Sequence, residues 1–316
     1  MTRTTTRAMR DAYGEALLRH GGPNPDVVVL DADVSASAKS CLFAAAHPER
    51  SFNVGIAESC MTGMAAGFAA AGKIPFANTF AIFFSTLGLC AARGLASYGE
   101  LNVKLMAAYG GLADSYDGPS HHAVEDIAIM RSLPNMTVMV ASDNIMIDWL
   151  VRAAITLNGP MYIRLTRDAV PDVHRPDREF TVGRGVVLRE GRDASIIASG
   201  VMVSKALDAA EMLAARGVQI RVVDMFTVKP LDRELVRRCA RETGAIIIAE
   251  EHSVIGGLGG AVAEELALSG IPAAVEFVGL EDCYAETGPY QALLSRYGLD
   301  APGIVVKTEK ALAKKA

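Results

Sequence analysis

Short apolar runs alternate with longer amphipathic stretches from one end of the chain to the other. The short runs are almost continuously apolar, which is typical of parallel strands that are covered on both faces. The longer stretches, such as residues 6–19, 142–157 and 201–216, have the length and the apolar spacing of helices. This alternation predicts an α/β fold of two three-layer α/β/α domains with mostly parallel sheets. The predicted strands are residues 27–30, 103–109, 137–141, 162–165, 195–199, 221–225, 245–249 and 275–278.

A break in this pattern falls at residues 168–181, where the sequence DAVPDVHRPDREFT contains prolines and mixed charges. A segment with prolines and without hydrophobic periodicity is typical of a linker. We therefore predict a first domain at residues 1–170, a linker at residues 171–183 and a second domain at residues 184–316. Both predicted domains have an ordinary size.

The segment 61–72 (MTGMAAGFAAAG) consists almost entirely of Ala, Gly and Met. Small side chains allow another backbone to approach closely, so this segment is either a central core helix or a helix beside a subunit interface. The apolar run that contains it, residues 61–76, is interrupted by Lys73. Because a helix needs about 20 apolar residues to cross a bilayer, we expect a buried helix in a soluble protein.

Composition limits the kinds of partner that the chain can have. Hydrophobic residues make up 51% and charged residues 21% of the 316 residues, which excludes a disordered protein. The net charge is only −5, and no basic stripe indicates binding to nucleic acid or to a membrane. The five cysteines form no CxxC pair, and the N-terminal sequence MTRTTTRAMR lacks the apolar stretch of a signal peptide. We expect a cytoplasmic protein with reduced thiols.

Three segments contain residues that are suited to chemistry. In FNVGIAES, a short strand ends and Glu58 begins a helix, where its carboxylate either complements the helix dipole or binds a ligand. In NTFAIFFST, Phe80 and Phe83 are either core residues or ring faces offered to a ligand. In DGPSHHAVE (residues 117–125), a Gly-Pro turn and two histidines follow a buried strand, and the carboxyl ends of such strands bind ligands in α/β proteins.

Together with other segments in the same order, these three resemble the pyrimidine-binding and C-terminal domains of the transketolase family. The resemblance covers essentially the whole chain and implies a thiamine-diphosphate-binding fold followed by a transketolase C-terminal-like domain. It also implies transfer of a two-carbon ketol unit between sugar or sugar-phosphate substrates. The segments that carry it are DADVSAS (31–37), GIAES (55–59), FAIFF (80–84), DGPSHH (117–122), SLPNMTVMVASD (132–143), YIRLTR (162–167), VKPLD (228–232) and AEEHSVIGGLGGAVAE (249–264).

The resemblance implies that part of the site binds the cofactor. Glu58 matches the catalytic glutamate that shares a proton with a nitrogen of the aminopyrimidine, and this sharing favours the imino tautomer. Phe83 matches the phenylalanine that stacks on the pyrimidine ring, and Phe80 matches its neighbour. Asp33 matches an acidic residue near the cofactor at a subunit interface. Thr86 replaces a further aromatic residue of this pocket, which leaves the pocket roomier or differently filled.

The resemblance also implies a substrate site. His121, as a second catalytic residue, and Asp117 match groups that contact the hydroxyls of the ketose donor and stabilise an oxygen where negative charge develops. Ser37 and Arg167 match residues that bind a distal phosphate, for which a guanidinium is well suited. The family's second arginine corresponds to either Arg7 or Arg10.

The chain departs from the family at a position in the substrate channel. Tyr109 stands where transketolases commonly have a histidine that helps to bind the substrate near its phosphate end. We therefore expect a substrate other than the usual pentose phosphates, such as a sulfonated or a branched sugar.

The sequence also lacks the GDG motif with which transketolases hold Mg²⁺ and the diphosphate. We expect these groups to be held by a partner subunit that carries GDG, in an α2β2 hetero-oligomer, and we expect no metal ligands in this chain. The alternatives are the β subunit of a 2-oxoacid dehydrogenase, half of a 1-deoxyxylulose-phosphate synthase-like enzyme, or a scaffold subunit without catalytic function.

Overall fold

A computed structural model describes residues 5–315, so that residues 1–4 of the predicted first domain and Ala316 of the second lie outside the described residues. In chain order, the strands are β1 (Thr5–Ala8), β2 (Val27–Asp31), β3 (Ser51–Asn53), β4 (Ile74–Phe80), β5 (Lys104–Ala108), β6 (Thr137–Val140), β7 (Met161–Arg164), β8 (Ala169–Pro171), β9 (Val186–Arg189), β10 (Ala194–Ala198), β11 (Ile220–Asp224), β12 (Thr227–Lys229), β13 (Ala245–Ser253) and β14 (Ala274–Leu280). The α-helices are α1 (Met9–Ala16), α2 (Ser35–Ala38), α3 (Cys41–Ala46), α4 (Glu58–Ala70), α5 (Ala81–Ser85), α6 (Leu89–Ala91), α7 (Asp126–Ser132), α8 (Asn144–Thr156), α9 (Met202–Ala214), α10 (Arg233–Thr243), α11 (Leu258–Ser269), α12 (Tyr290–Arg296) and α13 (Ala301–Lys314).

The strands form two larger sheets, which confirms the predicted α/β class with mostly parallel sheets. The seven-stranded sheet has the order β12-β6-β7-β5-β4-β2-β3, and the five-stranded sheet has the order β14-β13-β10-β11-β9. Within the first sheet, β2 to β7 run parallel to their neighbours, and only β12 is antiparallel. The remaining strands, β1 and β8, pair with each other.

The central strands of the two larger sheets are buried on both faces, as their continuously apolar sequences predict. Every residue of β2 (VVVLD) is buried. In β5, Met106 packs into one hydrophobic cluster, whereas Leu105 and Ala107 pack into the other on the opposite face of the sheet. Helices cover both faces, with residues of α1 and α8 in the first cluster and residues of α4 and α7 in the second. The layers are therefore helix, sheet and helix.

Local sequence signals set several helix ends. Asp143 precedes α8 and accepts a hydrogen bond from the backbone N–H of Met146 at 2.8 Å. Asp232 caps α10 in the same way through the N–H of Leu235, and Gly244 ends that helix in the left-handed conformation. Such caps satisfy backbone groups that the helix itself leaves unpaired.

The two halves of the chain are joined more closely than a flexible linker would join them. Strand β12 belongs to the second half but pairs with β6 of the first. Within the segment predicted as a linker, His174 and Phe180 are buried, and the His174 ring lies 2.8 Å from the Asp224 carboxylate. Among the described residues, no helix is both long enough and apolar enough to cross a membrane.

Candidate cofactor and substrate site

The predicted site residues follow the carboxyl ends of neighbouring strands. Strands β7, β5, β4, β2 and β3 are adjacent and parallel, so their carboxyl ends meet at one edge of the sheet. Asp33 follows β2, Glu58 follows β3, and Phe83 follows β4, while Asp117 follows β5 and Arg167 follows β7. This edge is where open parallel sheets bind their ligands.

Aromatic rings cluster at this edge. The Phe80 and Phe83 rings lie nearly parallel, with an interplanar angle of 20° and centroids 5.8 Å apart. The His121 ring stands edge-on to Phe83 at 5.4 Å, and the Tyr109 ring is 4.4 Å from Phe80. The residues predicted to contact the cofactor ring and the residue predicted to contact the substrate are thus neighbours. Phe83 is only half-buried, so part of its ring remains available to a ligand.

Glu58 is the first residue of α4, and its side chain is only 4% exposed. A carboxylate at this position is stabilised by the positive end of the helix dipole. Asp33 lies at the same sheet edge but on the surface, with a φ of 65°, and it accepts a hydrogen bond from the side chain of Asn53 at 3.0 Å. A buried carboxylate and aromatic faces are chemically suited to an aminopyrimidine, which has ring nitrogens and a flat π surface.

Tyr109 is buried, and two arginines contact it. The Arg10 side chain donates a hydrogen bond to the Tyr109 hydroxyl at 2.6 Å. The Arg10 and Arg167 guanidinium carbons lie 5.8 Å and 5.2 Å from the centre of the Tyr109 ring, which is within the range of cation–π attraction. Arg7 instead pairs with Glu15 at the surface. Of the two N-terminal arginines left open by the sequence, Arg10 is therefore the one that shares the contact with Tyr109 with Arg167.

Ser37 belongs to the same region, since its main-chain oxygen is 3.5 Å from the Tyr109 hydroxyl. Ser37 lies in the short helix α2, which follows β2. The hydroxyl of Tyr109 thus links α1, which carries Arg10, to α2, which carries Ser37.

Asp114 is a member of the site that the sequence did not predict. It is 1% exposed, and its carboxylate is 3.2 Å from the Arg167 guanidinium. Burial, together with the nearby Asp117 carboxylate, raises the pKa of Asp114 to about 6. In the sequence, the only indication of its role is that Asp114 is an acidic residue three positions before Asp117. The sequence does not show that the Asp114 side chain contacts Arg167.

Asp114, Asp117 and His121 each offer a ligand atom, and these atoms all lie within 4.8 Å of one another. This spacing is also compatible with a bound metal ion, although we predicted no metal ligands. The Arg167 guanidinium pairs with the Asp114 carboxylate, so a positive charge already lies beside these three residues. Groups that combine acceptors with a histidine are equally suited to hydrogen bonds with the hydroxyls of a sugar.

Comparison with known proteins gives matches along nearly the whole chain. The family model for the transketolase pyrimidine-binding domain matches residues 5–173, and that for the transketolase C-terminal domain matches residues 183–304. A Methanocaldococcus jannaschii protein, provisionally named a transketolase C-terminal section, is 39% identical over 98% of this chain and 97% of its own length.

A 6-deoxy-6-sulfo-D-fructose transketolase subunit from Clostridium sp. strain MSTE9 is 40% identical over 94% of this chain and 92% of its own length. Among solved structures, a split-gene transketolase described as an inactive β4 tetramer is similar with a TM-score of 0.89. That structure is 50% identical in sequence and covers 98% of this chain and 99% of its own.

Proposed function

The chain belongs to the transketolase family, and from this premise we propose that it is one subunit of a thiamine-diphosphate-dependent transketolase. The enzyme transfers a two-carbon ketol unit between sugar or sugar-phosphate substrates. The observation that carries this proposal is the arrangement at one sheet edge, where the rings of Phe83 and His121 lie 5.4 Å apart. Residues suited to the cofactor and residues suited to a polyol thereby share one site.

In this proposal, Glu58, Phe80, Phe83 and Asp33 bind the aminopyrimidine end of the cofactor. Thiamine diphosphate, when bound, supplies the thiazolium carbon that accepts the ketol unit. Glu58 holds a proton at the pyrimidine ring nitrogen, and its burial keeps water from competing for that proton. Phe83 offers a ring face for stacking, with Phe80 packed behind it.

The substrate lies on the other side of the aromatic cluster. We assign Asp117 and His121 to the hydroxyls of the donor, where they orient the sugar, and His121 stabilises the oxygen on which negative charge develops. Arg167, Ser37 and Arg10 bind the distal end. Two guanidinium groups beside one tyrosine suit a sugar with an anionic terminus.

The distal group need not be the phosphate of a pentose. Tyr109 fills the position of the usual histidine, and Asp114 offsets part of the charge of Arg167. A relative that is 40% identical is named as a transketolase subunit for 6-deoxy-6-sulfo-D-fructose. We therefore extend the proposal to a sulfonated or branched ketose.

The remaining half of the cofactor site is assigned to a partner subunit. A diphosphate needs a bound cation and backbone donors to offset its charge, and the family's GDG motif for this purpose is missing from the sequence. The Methanocaldococcus jannaschii relative, named as a C-terminal section, is matched over 97% of its length. We propose that the partner carries GDG and Mg²⁺ and that the assembly is α2β2.

The surface of helix α4 supports an oligomeric assembly. Cys60 and Gly67 are exposed and lie on one face of the helix, and nothing lies within 4 Å of the position that a Cβ on Gly67 would take. Leu87 and Leu95 are also exposed, at 54% and 45%. Exposed apolar side chains beside small residues are typical of a face that binds another subunit, so we favour the interface interpretation of this helix over the central core helix.

A cytoplasmic location is part of the same proposal. All five cysteines are free thiols, Cys239 buried and the others partly or fully exposed. Free thiols at the surface are typical of a reducing compartment.

A ketose screen tests this proposal. The chain is mixed with a candidate GDG-bearing subunit, thiamine diphosphate, Mg²⁺ and ribose 5-phosphate as the acceptor aldehyde, and cleavage of the donor is measured with xylulose 5-phosphate and with 6-deoxy-6-sulfofructose. We expect turnover, with the sulfonated ketose preferred. Highest activity with xylulose 5-phosphate and ribose 5-phosphate would refute the substrate assignment. Lipoyl-dependent oxidation of a 2-oxoacid in place of ketol transfer would refute the transketolase assignment.

A further inference from the structure

The second half of the chain holds the loop that carries the proposed sugar-binding residues. We call residues 110–124 the substrate loop, since it contains Asp117 and His121. Near the start of this loop, the N–H of Leu112 donates a hydrogen bond of 2.7 Å to the side chain of Glu251, which lies on β13. At its end, the carbonyl of Val124 accepts a hydrogen bond of 2.7 Å from the N–H of Ser253, also on β13.

Glu251 contacts the loop backbone directly. Gly111 has a φ of 70°, and a Cβ on this residue would lie 2.3 Å from the carboxyl carbon of Glu251. Only glycine therefore fits where the loop passes the carboxyl group. Glu251 itself is 3% exposed, so the side chain has little room to move away from the loop.

A buried arginine ties Glu251 to the other end of the loop. The Arg164 side chain donates hydrogen bonds of 2.9 Å to the carbonyls of both Glu251 and Ala123. Its Nε lies 2.9 Å from the carboxylate of Asp126, just beyond the loop. Ala123 also accepts a hydrogen bond of 3.0 Å from Gly111, which closes the loop at its base. Both ends of the loop are thus fixed against the strand that carries Glu251.

The neighbouring residue, Glu250, has a different role. It is equally buried, at 2% exposed, but its carboxylate accepts hydrogen bonds from the N–H groups of Leu258 and Gly259 at the start of α11. Successive side chains of a strand point in opposite directions. The Glu250 side chain therefore accepts hydrogen bonds from α11, whereas the Glu251 side chain accepts one from the substrate loop.

We propose that Glu251 is a positioning residue of the substrate site. By accepting the Leu112 N–H, it holds the substrate loop so that Asp117 and His121 present their polar groups to the donor sugar. The second half of the chain thereby takes part in substrate binding. The inference rests on the proposed function for the role of the loop, but the contact between Glu251 and the loop is independent of it.

The first test is amide hydrogen exchange on the isolated chain, which needs neither partner nor substrate. In Glu251→Ala, the Leu112 amide loses its acceptor, so we expect its exchange to become about tenfold faster or more, with faster exchange across the substrate loop. Glu251→Gln retains an acceptor oxygen of the same size and should restore protection. Glu250→Ala, the matched control, should loosen α11 and leave the loop protected. Unchanged exchange of the loop in Glu251→Ala would overturn the proposal.

The second test uses the assembled enzyme and the ketose that reacts fastest in the screen. Glu251→Ala should raise the KM for this donor about fivefold or more and lower kcat/KM by at least as much, because the loop carries both Asp117 and His121. Glu251→Gln should return KM to within about twofold of the wild type, and Glu250→Ala should leave it unchanged. A KM that does not rise in Glu251→Ala, or that rises as much in Glu250→Ala, would overturn the positioning role. If the wild-type complex turns over no ketose, the proposed function fails, while the exchange result still decides whether Glu251 holds the loop.

Discussion

Glu58 is the side chain on which the proposed proton chemistry depends. Replacement by Gln keeps the size of the side chain but removes the exchangeable carboxyl proton. We expect Glu58→Gln to lower kcat of the assembled enzyme by about 100-fold or more, with thiamine diphosphate still bound. Glu234→Gln changes a glutamate in the first turn of another helix, α10, and should have no effect. Near-normal turnover in Glu58→Gln would contradict the assignment and favour a scaffold subunit.

Substitution of Phe83 gives a second test at the scale of the residue. It measures the affinity for the cofactor instead of turnover. An offset aromatic contact contributes about 0.5–1.5 kcal/mol beyond the burial of area. Phe83→Ala should therefore weaken cofactor binding to the assembled complex by at least about threefold, as measured by calorimetry. Phe68 is also half-buried but packs against Phe52, so Phe68→Ala serves as the control and should leave the affinity for the cofactor unchanged.

Asp114 should make stability depend on pH. Burial raises the pKa of Asp114 to about 6, above its value in the unfolded chain. The neutral carboxyl of Asp114 therefore contributes fully to the stability of the fold below about pH 4. This contribution is lost as the pH rises through about 6 and the carboxyl ionises. Asp114→Asn, which cannot ionise, should be more stable than the wild type by about 1 kcal/mol at pH 8 and should lose this advantage at pH 4.

Scanning calorimetry at the two pH values measures this difference. Asp282→Asn removes a carboxyl from an exposed position and should shift the unfolding temperature little at either pH. If Asp114→Asn and the wild type unfold at the same temperature at pH 8, then the burial of Asp114 does not disfavour its charge.

The sequence offered single residues as candidates where they lie in a recognisable segment. Glu58, Phe83 and His121 were candidates because each belongs to a motif placed at the end of a strand. The partners of Tyr109 were not predictable, since Arg10 is 99 positions away along the chain and no local pattern encodes that distance. Asp114 and Glu251 were missed for the same reason, because their importance comes from tertiary contacts.

Among the elements, strands with continuously apolar sequences were predicted well, whereas strands that contain polar residues or a proline, or that have only three residues, were mostly missed. The eight apolar runs correspond to strands of the two larger sheets, because burial on both faces leaves a continuous hydrophobic signal. Strand β4 was missed, since its sequence IPFANTF contains polar residues and a proline. Strand β12 was missed because it has three residues, and its pairing with β6 depends on how the two halves pack.

Helix α4 supports a prediction at the scale of the element. Gly67 lies on the exposed face of this helix with open space around it. Arginine is a better helix former than glycine by about 0.5–1 kcal/mol, so Gly67→Arg should preserve the fold of the chain, as judged by circular dichroism. If this face binds another subunit, the larger charged side chain should lower the assembled mass measured by light scattering.

The matched control for this prediction is Ala267→Arg, at an exposed position on α11. It places the same side chain on a helix of the second half and should leave the assembled mass unchanged. A normal mass for Gly67→Arg would show that the exposed face of α4 is not an interface.

At the scale of the whole molecule, the proposal divides one active site between two polypeptides. In this proposal, the chain supplies the aminopyrimidine and sugar side of the site at the carboxyl edge of the seven-stranded sheet, and the second half of the chain holds the substrate loop. The diphosphate and Mg²⁺ side is assigned to the partner.

Calorimetric titration of thiamine diphosphate with Mg²⁺ tests this division most directly. The titration is made first on the chain alone and then on the chain mixed with a subunit that carries GDG. We predict weak or undetectable binding to the chain alone and tight binding to the mixture that exceeds binding to the partner alone. Tight binding to the isolated chain would contradict the account, because the chain would then hold the diphosphate without a partner.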